Sequence, residues 1–438
     1  MDIITGILFF LLAALGLRFI PFFKTIPALT FKVILFFFTL KVLSGTLLIF
    51  IYTYYYDIAT ADFYKYYSDG RIMYEAIYAN PLDYLRMLTG ISASAPHLDV
   101  YYKEMVSWSR PWEAPVFNDS RVVIRFNALV SLFSFGSIHV HTVVINFLSM
   151  FGLVAIYKFA LKYTPQIKHK WLPWGIFLFP SLLFWGSGIL TEGFLILGFG
   201  LWLYLIDKMV TEKKLEPKYI ILLIVSLFFL IKLKPYNLLL LIPCQLAFYI
   251  GMRNNVWSKQ LKYGLILALW VFLGVLAGYI LPQYDVISIL SRKQNDFVNF
   301  SVYVDAGSLI HTRLLQPNLW DMFLSFPRGF WHVLTRPHIF EVHSLVVLMA
   351  ALENLFVAGL IIFAIFRFDK KGLNMSVVWL SVWFAILLMG FVGLITPLHG
   401  AFVRYKIMAL PFMWIIFVNL AKMPDYSYRY KKKHDVYQ

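Results

Sequence analysis

Two apolar runs constrain this chain more than any other feature. Leu261–Leu281 holds a single charge, Lys262, near its start, and Leu345–Phe366 is interrupted only by Glu353 and Asn354. Each is about the twenty residues that a helix needs to cross the hydrocarbon core of a bilayer. In lipid a backbone N–H or C=O finds no outside partner, so such runs must close their hydrogen bonds internally as helices. Transmembrane barrel strands would instead alternate polar and apolar residues. Composition agrees: 60% of the 438 residues are hydrophobic and 14% are charged, where a soluble domain carries about 25% charge.

The pattern predicts an all-α polytopic membrane protein of about eleven spans. They lie near 3–20, 33–55, 140–161, 172–188, 190–210, 218–233, 236–252, 260–281, 342–366, 374–396 and 401–421. The net charge of +16 would point to nucleic acid in a soluble protein. Here the cations fall between apolar runs and act as topology signals, so no nucleic-acid partner is expected. Arg18–Lys32, Lys158–Lys170, Lys208–Lys218, Arg253–Lys262 and Arg367–Lys371 are basic connections, and Arg429–Lys433 lies in a short basic tail, 422–438. Placing all six in the cytoplasm puts the N-terminus outside and the C-terminus inside, with an odd number of spans. The first run, Ile3–Ile20, lacks a basic leader and a small-residue cleavage site and reads as a retained helix. The one cysteine, Cys244, lies within a span, so no intrachain disulfide staples an outer segment.

Two long segments then face outward, 56–138 and 282–341, and long connections of this kind usually carry function. Val122–Phe135 is apolar but contains Arg125, Asn127 and serines, and counting it as a span would invert every basic loop before it. It reads as an amphipathic helix lying at the outer interface, with a re-entrant half-helix as the rival reading. Trp320–Trp331 reads as a second one, with Trp320, Phe323, Phe330 and Trp331 toward the lipid boundary.

Familiar catalytic signatures are absent: there is no P-loop, dinucleotide fingerprint, HExxH, CxxC or GxSxG. The first outer segment opens instead on Asp57-Ile-Ala-Thr-Ala-Asp62-Phe-Tyr-Lys-Tyr-Tyr-Ser-Asp69-Gly70-Arg71. A carboxylate at the membrane surface, partly shielded from water, has a raised pKa and suits a general base. Asp62 and Asp69 are two helical turns apart, so a helix would put them on one face. The same acids also read as solvated loop residues among interfacial tyrosines.

An Asp just beyond an early span, followed by Tyr and a Gly-containing amphipathic stretch, resembles the GT-C glycosyltransferases. Two further stretches resemble that family: Pro180–Glu192, where Thr191 precedes Glu192, and Thr396–Tyr405, where Arg404-Tyr405 opens the last span. The likeness covers most of the chain as topology and about thirty residues as motif. One departure is that the first large outer segment follows the second span here, and the first span in much of the family.

The resemblance implies a polytopic enzyme of a bacterial inner (cytoplasmic) membrane. It would take a sugar from a polyprenyl-phosphate carrier and pass it to a glycan or lipid-linked acceptor among membrane lipids. Asp62 matches the catalytic Asp, with Asp57 as fallback and Asp69 as a second acid that orients the acceptor. The base removes a proton from an acceptor hydroxyl and the oxygen displaces the carrier phosphate with inversion, as in other inverting sugar transfers. Cations would then neutralise the leaving phosphate. The candidates are Arg404, His399, Lys234, Lys232 and Arg336, with Arg292, Lys293, Arg313 and Arg328 in the same outer segment as Arg336. Any one of these arginines also reads as snorkelling to headgroups. No metal site is expected from the residues, and the need for a divalent cation, Mg2+ or Mn2+, stays open.

Glu192 and Glu353 fall within the apolar zone, either as functional acids or as members of interhelical pairs. Lys41 is expected to snorkel to the cytoplasmic face. His139 and His141 point to different sides of a helix, which makes a metal site there improbable. Asp119, Arg121 and Arg125 are expected to form a salt-bridged cap on the interfacial helix. A transporter with discontinuous helices, for which Gly186-Ser187-Gly188 is the relevant feature, is one rival. A polysaccharide polymerase or ligase acting on lipid-pyrophosphate glycans is another, with Arg328 and Arg336 as its signature, and a non-catalytic assembly subunit is a third.

Overall fold

The structure is a computed structural model that describes residues 2–55, 58, 61–109, 118–213, 216–253, 257–303, 308–310, 312–369 and 373–423. The described chain is helical throughout. In order, its α-helices are α1 (Asp2–Phe19), α2 (Phe31–Tyr54), α3 (Asp62–Ala79), α4 (Pro81–Thr89), α5 (Asp99–Glu104), α6 (Ser120–Ser134), α7 (Ile138–Tyr163), α8 (Leu172–Leu178), α9 (Pro180–Trp185) and α10 (Thr191–Glu212). They continue as α11 (Pro217–Leu233), α12 (Pro235–Arg253), α13 (Lys259–Ile280), α14 (Val286–Tyr303), α15 (Leu319–Thr335), α16 (Leu345–Phe366), α17 (Met375–Ile395), α18 (His399–Tyr405) and α19 (Ala409–Leu420).

Among the described residues nine helices are long and apolar enough to cross a membrane: α1, α2, α7, α10, α12, α13, α16, α17, and the run His399–Leu420 that joins α18 to α19. The protein is a polytopic helical membrane protein. Its lipid-compatible surface is visible on α1, where Ile3, Ile4, Ile7, Leu8, Leu11, Leu12 and Leu15 are all exposed. No water-soluble fold leaves such a stripe uncovered.

The expected count of about eleven differs from these nine at two places. The segment 172–188 is not one helix. Phe179 adopts φ −57°, ψ 126° and separates α8 from α9. Proline at 180 disfavours the helical conformation of the residue before it and supplies no N–H of its own. The other, α11, has 17 residues, bounded by Pro217 and by Pro235 beyond its end. At 1.5 Å per residue it is about 26 Å long, a little short of a typical hydrocarbon core.

The chain forms two compact units, Met1–Phe159 with Leu182–Leu238, and Ala160–Ser181 with Leu239–Gln438. In the first, α7 and α10 cross at Gly152 and Gly200. A Cβ on Gly200 would lie 2.0 Å from the Gly152 carbonyl oxygen, so only hydrogen fits there. This is the small-residue contact that lets membrane helices approach backbone to backbone. The second unit repeats the device where α15 meets α17: a Cβ on Gly393 would lie 2.1 Å from the Gly329 carbonyl oxygen.

Lys41 corrects an expectation within the first unit. It does not snorkel: it is 1% exposed, and its Nζ donates to the Gly186 carbonyl at 2.8 Å and to Ser187 Oγ at 3.2 Å. The chain leaves helical geometry between α9 and α10, and the carbonyls freed there need donors. Lys41 supplies one and Asn146, whose Nδ2 donates to the Ser187 carbonyl at 2.9 Å, supplies another. Irregular backbone among apolar helices is tolerable only when such partners reach it.

Candidate functional site

In the first unit the segment between α2 and α7 folds as α3, α4, α5 and α6. Asp62 and Asp69 share a helix, α3, but their environments differ. Asp62 stands in the first turn, half-buried, where a carboxylate complements the positive end of the helix. Asp69 is fully buried, and its two oxygens accept from the backbone N–H groups of Val106 and Ser107 at 2.9 and 2.7 Å. Burial raises its pKa, and those two hydrogen bonds oppose the rise. Asp69 therefore ties the 105–108 loop to α3, and its oxygens are occupied by the fold. Asp57 lies outside the described residues.

Two of the nominated cations also belong to the first unit. Lys234 is 5% exposed, and its Nζ meets Glu192 Oε1 at 2.5 Å, while Thr191 Oγ1 donates to Glu192 Oε2 at 3.2 Å. Glu192 and Lys234 thus form a buried interhelical ion pair. Lys232, two residues earlier in the last turn of α11, is exposed.

In the second unit two of the nominated residues, Arg336 and His399, converge on Glu341, which is not among the candidates named from the sequence. Glu341 ends a short 3-10 turn, Ile339–Glu341, and its Oε2 accepts from the His338 backbone N–H at 3.0 Å. Its Oε1 lies 3.4 Å from Arg336 Nε, 3.4 Å from His338 Nε2 and 3.7 Å from His399 Nε2. His343 Nδ1 lies 3.1 Å from the Glu341 carbonyl oxygen. His332, in the last turn of α15, is affected by the same group: burial lowers its pKa first, the charges of Arg336 and Arg328 lower it further, and Glu341 raises it. One carboxylate thus sits among Arg336, His338, His343 and His399, with His332 and Arg328 joined to the same group electrostatically.

The turn is fastened from beneath. Asn354 on α16 donates to the Pro337 carbonyl at 3.0 Å and accepts from buried Lys406. Beside it, Glu353 accepts from Ser181 N and Ser181 Oγ, both at 2.7 Å, a hydrogen-bonded pairing between helices. His399 is held by its backbone, whose N–H donates to the Ser308 carbonyl at 3.1 Å, while Ile310 N donates to the Pro397 carbonyl at 2.9 Å. Its ring nitrogens make no hydrogen bond among the described residues. Arg404 lies farther along α18 and is half-buried.

No family model matches this chain, and no curated protein and no solved structure proved similar to it.

The Glu341 group carries more potential positive charge than negative, and its histidines can hold or release a proton near neutral pH. That combination suits an anionic oxygen ligand. Among the described residues no three His, Cys, Asp or Glu side chains group in a way that would hold a metal ion. The signal for Glu341 was present in sequence as Arg336-Pro-His338-Ile-Phe-Glu341-Val-His343, a dense titratable run after an amphipathic helix. Its density mattered more than the single arginine taken from it.

Elsewhere the segment between α2 and α7 departs from one expectation. Arg121 and Arg125 do not pair with Asp119. Each guanidinium lies over the Trp108 ring, at 4.8 and 5.2 Å, and donates Nε–H to a backbone carbonyl, of Trp108 and of Met87 respectively, both at 2.9 Å. Trp320, Phe323 and Trp331 of α15 are exposed as expected, while Phe330 is half-buried.

Proposed function

We propose that the protein is an inverting glycosyltransferase that moves a sugar from a polyprenyl-phosphate carrier to a lipid-linked glycan or other cell-envelope acceptor. The reading rests on the resemblance of the Asp57–Arg71, Pro180–Glu192 and Thr396–Tyr405 stretches to the GT-C enzymes. The observation that carries it furthest is the convergence of Arg336, His338 and His399 on Glu341 at 3.4–3.7 Å. A preformed cationic cradle is what a departing phosphate requires.

In this reading Asp62 is the base that takes the acceptor proton, the oxygen then attacks the anomeric carbon, and the carrier phosphate departs with inversion at that carbon. Orientation follows the basic loops: N-terminus and the two long segments outside, C-terminus in the cytoplasm of a bacterial inner membrane. The test is transfer of labelled sugar from a polyprenyl-phosphate donor by purified protein. Asp62→Asn should abolish transfer with insertion and thermal stability unchanged, and Arg336→Gln should raise the donor KM. Transfer that survives Asp62→Asn would remove Asp62 as base. Assays with and without EDTA decide whether Mg2+ or Mn2+ takes part.

A second reading, a polymerase or ligase acting on lipid-pyrophosphate glycans, is favoured by one observation. Arg328 and Arg336 both act electrostatically on His332 and so belong to one charged group. Supplying lipid-pyrophosphate and lipid-monophosphate donors in parallel separates the two.

A further inference from the structure

The first outer segment contains a pair of cations for which the sugar-transfer reading has no use. Arg121 and Arg125 stand one turn apart on α6, near its N-terminus, on the same side of the helix. Both guanidinium carbons lie over one indole, that of Trp108, which is 3% exposed and whose ring stacks on Tyr102 at a centroid distance of 4.8 Å and an interplanar angle of 8°. Each arginine spends its Nε–H on a buried backbone carbonyl. That bond fixes the plane of the guanidinium and leaves its four Nη–H donors.

Two like charges held this close, and partly withdrawn from water, repel one another. Among the described residues no carboxylate lies within ion-pair distance of either. Two acids of the same segment are engaged by other groups: Asp69 by the Val106 and Ser107 N–H groups, and Asp83 by Arg86 at 3.2 Å and His97 at 2.9 Å. Opposite the Arg125 guanidinium the chain passes at Gly90, where a Cβ would stand 3.3 Å from Nη2, so the backbone presents no side chain to it. The far half of α6 is different in kind, with Leu129, Leu132 and Phe133 exposed, as is Phe135 just beyond its end. A helix with an apolar exposed end and a basic end sits naturally at a bilayer surface, with the basic end at headgroup level.

We infer that Arg121 and Arg125 together bind a phosphate group at Trp108. Paired planar forks match phosphate oxygens bidentately, where lysines would act only as point charges. The phosphate belongs either to an anionic membrane lipid or to a soluble phosphate, and the experiment separates these. The site is independent of Asp62 and of the Glu341 group, so it stands or falls apart from the sugar-transfer reading.

The test uses full-length protein purified in neutral detergent and followed by thermal unfolding. Phosphatidylglycerol in mixed micelles should raise the midpoint saturably, by about 3–5 °C, and phosphatidylcholine should not. Inorganic phosphate producing the same rise would assign the site to a soluble phosphate. The phosphate-dependent rise should vanish in Arg121→Gln/Arg125→Gln and persist in Lys103→Gln, an exposed cation of the same segment. If the double variant does not fold, the two single substitutions carry the comparison, each reducing the rise. An equal rise in the arginine variants, or no response of the unaltered protein to either phosphate source, overturns the inference.

Discussion

Lys41 Nζ donates to the Gly186 carbonyl at 2.8 Å, so a cation from one spanning helix closes a backbone break that begins 145 residues away. The ammonium is buried, with an amide oxygen and the Ser187 hydroxyl as its acceptors. Replacing it removes a donor from a carbonyl that lipid cannot satisfy. Lys41→Met should lower stability in detergent by about 1–3 kcal/mol, read as a drop in thermal midpoint. An unchanged midpoint would mean that Asn146 alone sustains the break.

Asp69 and Asp62 should behave as opposites although they share α3. Asp69→Ala strands two buried N–H groups, of Val106 and Ser107, and should destabilise by about 1–3 kcal/mol per unmatched group. Asp62→Asn, at a half-buried first-turn position, should leave the melting temperature within about 1–2 °C of the parent. Equal melting temperatures for Asp69→Ala and the parent would contradict the role assigned to Asp69.

The Glu192–Lys234 pair invites a double-mutant cycle. Removing one member takes this opposite charge away from a buried ion, which costs about 3–5 kcal/mol. Glu192→Gln and Lys234→Met should therefore each be strongly destabilising, while the two together should cost less than the sum of the singles. Additive losses would show that the 2.5 Å contact is energetically idle and would return Lys234 to the list of ligand-binding cations.

His332 gives a pH dependence with a definite sign. Its pKa in the folded protein lies below the ordinary value of 6.5, from burial and then from Arg336 and Arg328. As pH falls through 6.5 the unfolded chain takes up the proton first, so this contribution to stability is present above 6.5 and is lost toward the lower folded pKa. The thermal midpoint should decline between pH 7 and pH 5, and His332→Gln should flatten that decline. A slope identical in both proteins would place the acid sensitivity elsewhere.

Much of this molecule was legible without coordinates because the bilayer forces local rules. Helix 345–366 follows from its own apolar run, and α3 and α6 follow from spacing and amphipathic pattern. Even the break at 179–180 was written in Pro180, though the apolar count across 172–188 concealed it. The polar residues were harder. Asp62 and Asp69 look alike in sequence, and only the loop folded against α3 makes one of them a backbone acceptor. Position along a helix suggests a membrane-surface role for Lys41 and a phosphate-binding one for Lys234, and a cap with Asp119 for Arg121 and Arg125, whereas Lys41 meets Gly186, Lys234 meets Glu192, and the two arginines donate to the backbone of Trp108 and Met87.

The sequence by itself determined that this is a helical membrane protein and roughly where its spans and long connections lie, because hydrocarbon imposes its condition residue by residue along the chain. Tertiary structure alone decided what each buried polar group does. A charge in a low-dielectric interior takes its meaning from whatever lies within a few ångströms, and those neighbours come from distant sequence: Gly186 for Lys41, Glu192 for Lys234, and His399 for Glu341.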